Sequence, residues 1–463
     1  MVSPPIAYAA AVPSSKDRPH DITIFGCTGN AGRAVAYHAI KSAFKNNKPN
    51  AIRVALSGRN RGKVENVLQG IHDELQNEGI IKTDDAKVDI VIADINNEQS
   101  MLEMAKSTNI LVSCTGPYWR YGEAAVKACV LGRTHYVDIT GEIPWVERMI
   151  GDYGQKAEEA GVVLCPFAGY DCVPAEVGMW LVGKALEMEG GEDNALGTVL
   201  MNIRGTGGGG FPHGTLQTIL DGFEGKGAQR KEGDPRLYPK EFRGTAKAAT
   251  SVSNFLLPRY QLGHFTGPNF MGLINAPVLC SSAHTLGISS DLTISDRQVV
   301  SGRPSLLNGY GLFPVQAYIT TLGLTVLAFA LPPVRWFLRS RLKGYSYSGN
   351  HAAKVILDVR GLSATKKTSA TAKCMFPGDG GIYATGLFAA GVANALLEAT
   401  TAGSKYPRPL AGFHPPVAAL RDCRQGLLVD HLRELGSEIK VEIIPEEGGA
   451  AREVDITKLR SKL

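Results

Sequence analysis

Short apolar, β-branched runs punctuate the first third of the chain, at 21–25, 52–56, 88–93, 110–114, 136–139 and 162–165. Between them apolar residues recur at helical spacing, as in 31–44, 61–75 and 98–106. Strand-sized runs that alternate with helices build βαβ units and a parallel sheet. The runs are apolar throughout, as expected of strands covered on both faces. The pattern predicts a doubly wound Rossmann sheet over 18–165, preceded by a tail over 1–17.

The rhythm breaks after Pro166. A loop, FAGYDCVPAEVG, leads to a helix over 177–187, and a strand over 198–204 precedes the glycine run 205–210. The polar, Pro/Gly-rich stretch 225–240 reads as an exposed loop. Strands over 354–359 and 371–376 and an apolar helix over 383–399 complete a less regular half. The expected architecture is α/β, with a second α/β domain of mixed sheet from 166–303 and 346–450, serving substrate binding or homodimerisation. A charged, exposed tail over 451–463 ends the chain.

One segment, 304–345, stands apart. No charged residue lies between Arg303 and Arg335, and 317–331 reads AYITTLGLTVLAFAL. Pro332 and Pro333 follow, then Trp336 among Arg335, Arg339, Arg341 and Lys343. A spanning helix needs about 20 apolar residues, more than this core supplies before the prolines. Trp and flanking cations suit a lipid–water interface. Three readings stand: a buried helix, a hairpin on a membrane surface, and a span.

Composition narrows the class. The 463 residues, 44% hydrophobic and 20% charged, are those of a globular protein of two or three domains. The net charge of +5 is spread along the chain, so no nucleic-acid partner is expected. Eight cysteines without a C-x-x-C pair suggest free thiols in a reducing compartment, and no Cys/His spacing suits a metal. Ser461, Lys462 and Leu463 form S-K-L, the tripeptide read by the peroxisomal import receptor. A peroxisome is therefore the expected location, with a lipid droplet or membrane surface as the alternative.

The most informative stretch joins the first strand to its helix. Gly26-Cys27-Thr28-Gly29-Asn30-Ala31-Gly32 is G-x-x-G-x-x-G, a variant of the dinucleotide fingerprint. Gly26 allows the turn, Gly29 lets backbone approach a pyrophosphate, and Gly32 lets helix and strand pack closely. At the end of the second strand, Ser57 and Arg59 stand where NAD sites carry an acid. A guanidinium there pairs with a 2′-phosphate, which points to NADP(H), with Arg61 and Lys63 in support. Asp94, ending the third strand, is a candidate for the adenine amino group or a helix cap. Cys114, Thr115 and Gly116, after the fourth, are expected beside the nicotinamide ribose.

These residues resemble the saccharopine dehydrogenase-like oxidoreductases, which include mycobacterial trans-acting enoyl reductases and an animal lipid-droplet protein. IFGCTGNAGR, LSGRNRGKV, VSCTGPYWRYGEAAVKAC, YVDITGE, FAGYDCVPAEVG and GDGGIYATGLFAAGVANALL carry the likeness, from about Asp21 to Ile444. It implies an NADP-binding Rossmann domain followed by a second α/β domain. Asn30 replaces an aromatic residue of the family pattern, and S-K-L is not expected throughout it.

Hydride transfer to a C=C or C=N bond requires a proton donor. Candidates are Tyr118, Tyr121, Glu123, Glu142, Tyr170, Asp171 and His213. Asp171 is foremost, as a carboxylate in an apolar turn where burial would raise its pKa; a purely structural role in that turn is the alternative. The expected activity is an NADPH-dependent reductase acting on an apolar substrate. A saccharopine-type amino-acid dehydrogenase and a non-catalytic, lipid-associated NADP-binding protein are the alternatives.

Overall fold

The structure, a computed structural model, describes residues 18–45, 52–81, 88–190, 194–206, 212–227, 237, 257–289, 292–301, 312–342, 345, 347, 349–421, 426–444 and 451–454. The glycine run 207–210, most of 225–240, and Ser461-Lys462-Leu463 lie outside them.

The first layer is a parallel sheet of β1 (His20–Phe25), β2 (Val54–Gly58), β3 (Asp89–Ile92), β4 (Thr108–Ser113), β5 (His135–Asp138) and β6 (Val163–Cys165). Helices α1 (Asn30–Lys45), α2 (Arg61–Asn77), α3 (Glu98–Lys106), α4 (Tyr118–Gly132) and α5 (Ile143–Ala160) connect them. Strand order is β3-β2-β1-β4-β5-β6, so direction reverses between β1 and β4. Each sequence-predicted strand is present, shifted by at most two residues at either end.

One domain boundary needs correcting. Gly412–Phe413, assigned above to the second domain, pairs in parallel with β6 and becomes the seventh strand of the first sheet. The helix Thr385–Thr400 packs on α1 and reaches β4 and β5. The reason is topological. Helices α1 and α2 cover one face of β1–β3, and α4 and α5 cover the opposite face of β4–β6. The remaining face of β4 and β5 would meet water unless another element covered it.

The second layer is an eight-stranded mixed sheet. Its centre is β7 (Leu196–Thr206), antiparallel to the strand Lys354–Ser363 and parallel to Thr293–Ser301. The hairpin Lys354–Ser363/Ser369–Pro377 alternates buried and half-exposed positions, with its buried face toward α6 (Val173–Gly190). A side chain at Gly178 would come within 2.7 Å of Val359, so glycine lets α6 lie flat on this sheet. The helix starts four residues earlier than its apolar pattern suggests, inside FAGYDCVPAEVG. Pro174 is tolerated because the first helical turn leaves its N–H groups free of intrahelical bonds. Seven of the eight cysteines lie in described residues, and all seven are free thiols.

The segment after 312 forms an exposed hairpin. Helix Leu312–Ala330 is followed, after Leu331, by helix Pro332–Leu342. Of the three readings, the buried core helix is the one overturned: only 6% of the window Phe313–Ala330 is buried. Contact with the body is concentrated near its start. Val315 is fully buried, and Tyr318 lies against Gly267 and donates to the Pro268 carbonyl at 2.9 Å.

Candidate active site

A cavity of about 850 Å³ opens beyond the carboxyl ends of β1, β4 and β5, where the strand order reverses. Its floor is the turn into α1. Gly26 has φ +83°, a left-handed conformation that glycine adopts without strain. A Cβ at Gly32 would fall 2.2 Å from the Gly26 carbonyl oxygen, so only glycine lets helix and turn meet so closely. A Cβ at Gly29 would meet nothing nearer than 3.5 Å, leaving that backbone open to a ligand. The first turn of α1 carries no acidic residue to repel an anion at its positive end. These features fit a pyrophosphate. Gly29, Asn30 and Gly32 line the cavity. Cys27 is buried and its thiol is pushed up to about 12, so it packs beneath the turn and does not face the ligand. Asn30 reaches out of the turn to the Tyr347 carbonyl at 2.7 Å, tying it to the second half of the chain.

The other expected cofactor residues divide. Arg59 is exposed at the end of β2 with no partner among the described residues, free to meet a phosphate. Arg61 is engaged by Glu65 at 3.9 Å, while the Lys63 N–H caps onto Asn60. Ser57 corrects the sequence reading, because its hydroxyl donates to the Met104 sulfur inside the core. Its carbonyl instead accepts from Gly26 and Cys27 and so braces the phosphate turn. Asp94 accepts through Oδ1 from the backbone and side chain of Asn96, which makes it a turn-former ahead of α3. Cys114 and Gly116 line the cavity, with burial raising the Cys114 thiol. The Thr115 hydroxyl is shared with Ser113 at 3.1 Å, and its methyl packs against Gly26.

Among the proton-donor candidates, Tyr118, Glu142, Tyr170, Asp171 and His213 line the cavity, whereas Tyr121 and Glu123 do not. The Tyr118 hydroxyl donates to the Ser113 carbonyl at 2.8 Å, which engages its proton within the chain. Tyr121 lies outside the cavity wall, beneath the Arg120 guanidinium. Glu123 is engaged on the surface by Arg148 and Tyr153. Glu142 accepts from the Tyr118 and Trp119 N–H groups at 2.9 and 2.7 Å and caps α4, not the helix that follows it. His213 lines the cavity at the start of α7 (His213–Phe223).

Asp171 is different. It lines the cavity with no hydrogen-bond partner among the described residues, and burial pushes its carboxyl up to about 6. Gly141 makes room for it, since a Cβ there would stand 3.0 Å from Asp171 Oδ2. Nearby, burial raises the Asp138 carboxyl to about 7, but Thr140 N–H and the Tyr136 hydroxyl hold it within the core.

Sequence reasoning missed part of the wall. Gly380, Gly381 and Thr385 come from the π-helical turn Gly380–Ala384 and the helix after it. The stretch Gly378–Gly381 was the available signal, but read as a phosphate loop it lacks the lysine such a loop needs. Phe270, Met271 and Ile274 reach the cavity at the start of helix Gly272–Thr285, and nothing in their spacing marks them.

Comparison with known proteins decides the first layer. Residues 22–165 match the family model for the saccharopine dehydrogenase NADP binding domain. The match runs along the first layer from β1 to β6. This layer binds NADP(H), and the turn, helix end and Arg59 described above are the groups fitted to hold it. A lipid droplet localized protein of Caenorhabditis elegans is 31% identical over 233 residues, 49% of this chain and 51% of that protein. A saccharopine dehydrogenase-like oxidoreductase of Mus musculus is 30% identical over 218 residues, 47% of this chain and 49% of that one. A Mycobacterium tuberculosis protein named "Putative trans-acting enoyl reductase" is 27% identical over 205 residues, 44% of each chain. The chain thus spans about half the length of the curated relatives it matches.

Proposed function

We propose that this saccharopine dehydrogenase-like protein is an NADPH-dependent reductase of an uncharged, apolar substrate, and that Asp171 supplies the proton. The observation that carries the reading is the make-up of the cavity wall. Among the described residues it contains no lysine or arginine, while Ile139, Ile219, Phe223, Phe270, Met271 and Ile274 make much of it apolar. A dicarboxylate amino-acid adduct would need cations there, because a buried carboxylate without a partner is costly. Arg120 and Arg204, the cations nearest to candidate loops in the sequence, are both absent from the wall. This favours the enoyl- or imine-reducing reading over the saccharopine-type one.

When bound, NADPH supplies the hydride. The chain supplies the rest. Gly29 and the α1 amides hold the phosphates, Arg59 selects the 2′-phosphate, and Asp171 holds a proton at the cavity wall up to about pH 6. The exposed helix Leu312–Ala330 supports a lipid surface as the place of work, in keeping with the printed name of the C. elegans relative.

Fluorescence titration with NADPH and NADH, on wild type and Arg59→Ala, tests the cofactor half. The expected outcome is a roughly ten- to hundredfold loss of NADPH affinity in the variant, the value of a charged bidentate contact, with NADH unaffected. For the chemistry, NADPH oxidation is followed with a panel of enoyl thioesters. Asp171→Asn should lower turnover about 10²–10⁴-fold, the usual contribution of a general acid. Reduction of NADP by a dicarboxylate amino-acid adduct would reverse the choice of substrate class.

A further inference from the structure

The cavity has two unlike ends. At one lie Gly29, Asn30 and Gly116, the turns fitted to a nucleotide. Away from them, Phe223 and Phe270 line the cavity yet are each 38% exposed, so they form its rim. Large side chains rarely stand open to water together on a soluble surface without a partner.

Helix α7 is the partition between this end and the apolar hairpin. His213, Thr218, Ile219 and Gly222 face the cavity. Its last turn joins the hairpin: Phe223 packs edge to face on Phe329 at 5.9 Å, and Arg339 donates to Asp221 at 2.6 Å and to Glu224 at 2.8 Å. Asp221 also accepts from the Trp119 indole at 3.3 Å, so the clamp is anchored in α4. Beyond Phe329 the hairpin exposes Leu324, Leu327, Leu331, Trp336 and Phe337. A helix apolar on all sides and bare of protein is suited to lipid. Trp336, 74% exposed among arginines, suits the boundary between lipid and water.

We infer that the cavity is loaded from the lipid phase: its substrate is a long-chain amphiphile that passes from a lipid surface, over the rim of Phe223 and Phe270, to the Asp171 wall. This deepens the reductase reading and rests on it. The hairpin sets the molecule on the lipid with the aromatic rim on the same side. An apolar chain then enters without crossing water, a crossing that grows more costly with each methylene exposed.

The test uses the full chain loaded with NADPH and phosphatidylcholine vesicles holding a few mole per cent of a C16 fatty acid with a nitroxide near its end. A nitroxide that enters the cavity quenches the emission of the bound nucleotide. Wild type should float with the vesicles and lose that emission. Gly222→Phe is the decisive variant, because a Cβ at this cavity-lining position meets nothing within 4 Å, which leaves room for a ring that narrows the mouth. It should still float and bind NADPH but escape quenching. Leu324→Ser with Leu327→Ser should bind NADPH but neither float nor be quenched by vesicles. Flotation of wild type without quenching, or equal quenching in Gly222→Phe, overturns the loading route and leaves lipid docking intact. Failure to float sinks the lipid reading and the route together. Failure to bind NADPH sinks the reductase reading itself.

Discussion

Two stretches of this chain, Phe313–Ala330 and Gly380–Thr400, are each long and apolar enough to cross a membrane, yet 6% of one and 89% of the other is buried. The difference lies in the arrangement of small residues. In the second, Gly386, Ala389, Ala390 and Ala393 recur at helical spacing and are buried. A Cβ at Gly386 would stand 2.5 Å from the Ala34 carbonyl carbon, so the helix meets α1 backbone to backbone. Asn394 closes the contact by donating to Ser42 at 2.9 Å. In the first stretch, Ala317, Gly323, Ala328 and Ala330 follow no such spacing, and the body holds the helix mainly near Val315 and Tyr318. Hydrophobicity brings a helix out of water; a complementary surface decides whether protein or lipid receives it.

The same substitution in both helices tests this most severely. Gly386→Leu should cost about 3 kcal/mol or more, since the added side chain meets backbone that cannot give way. Gly323→Leu, where a Cβ meets nothing within 4 Å, should be neutral or stabilising by up to about 1 kcal/mol. Urea denaturation of the two variants measures both, and equal losses would break the contrast.

Polar substitution of the exposed face comes next. Leu324→Ser with Leu327→Ser should weaken vesicle binding roughly a hundredfold or more, from about 1.5–3 kcal/mol per leucine withdrawn from lipid. The melting temperature should not move, because neither side chain packs on protein. A fall in melting temperature would mean that the hairpin belongs to the core after all.

A smaller effect sharpens the other end of the buried helix, whose first turn borders the cavity beside Asp171. That carboxyl titrates near 6 in the folded protein and near 4 when unfolded. The folded state therefore holds the proton more tightly, and stability falls as pH rises from about 4 to 6. Above that window the penalty is constant. Asp171→Asn should remove it and make the variant more stable than wild type at pH 7 by on the order of 1–2 kcal/mol, with no difference below about pH 4. Thermal melts at pH 4, 5, 6 and 7 would show the trend, and a variant less stable at pH 7 would contradict it.

The smallest expected effect concerns the hairpin clamp. Hydrogen bonds from Arg339 and then Lys226 hold the Glu224 carboxyl down to about 2. Its stabilising contribution is complete above about pH 4 and fades as the pH falls toward 2. Acid should therefore loosen the hairpin from α7 before the core unfolds, read as faster proteolysis near Arg339 than in the sheet.

Much of the first layer was legible because its signals are local. Each strand is a continuous apolar run, each helix has its own period, and the three glycines around Gly26 stand within seven residues. The surroundings of Ser57, Asp94 and Tyr118 were not legible because a hydroxyl or carboxylate at a strand end can face ligand or core with the same local sequence. Their partners, Met104, Asn96 and the Ser113 carbonyl, decided which. Asp171 stands in the cavity wall because a lone carboxylate in an apolar turn has few ways to be satisfied, and the described residues supply none.

The sequence alone determined the βαβ layer and the dinucleotide turn, both properties of short-range spacing and backbone sterics. Tertiary structure alone decided that Gly412–Phe413 and the helix Thr385–Thr400 complete the first layer, that Glu142 caps α4, and that the hairpin at 312–342 stays uncovered. Those outcomes depend on which distant surfaces match in shape, and shape complementarity between segments hundreds of residues apart leaves no periodicity in the chain to read.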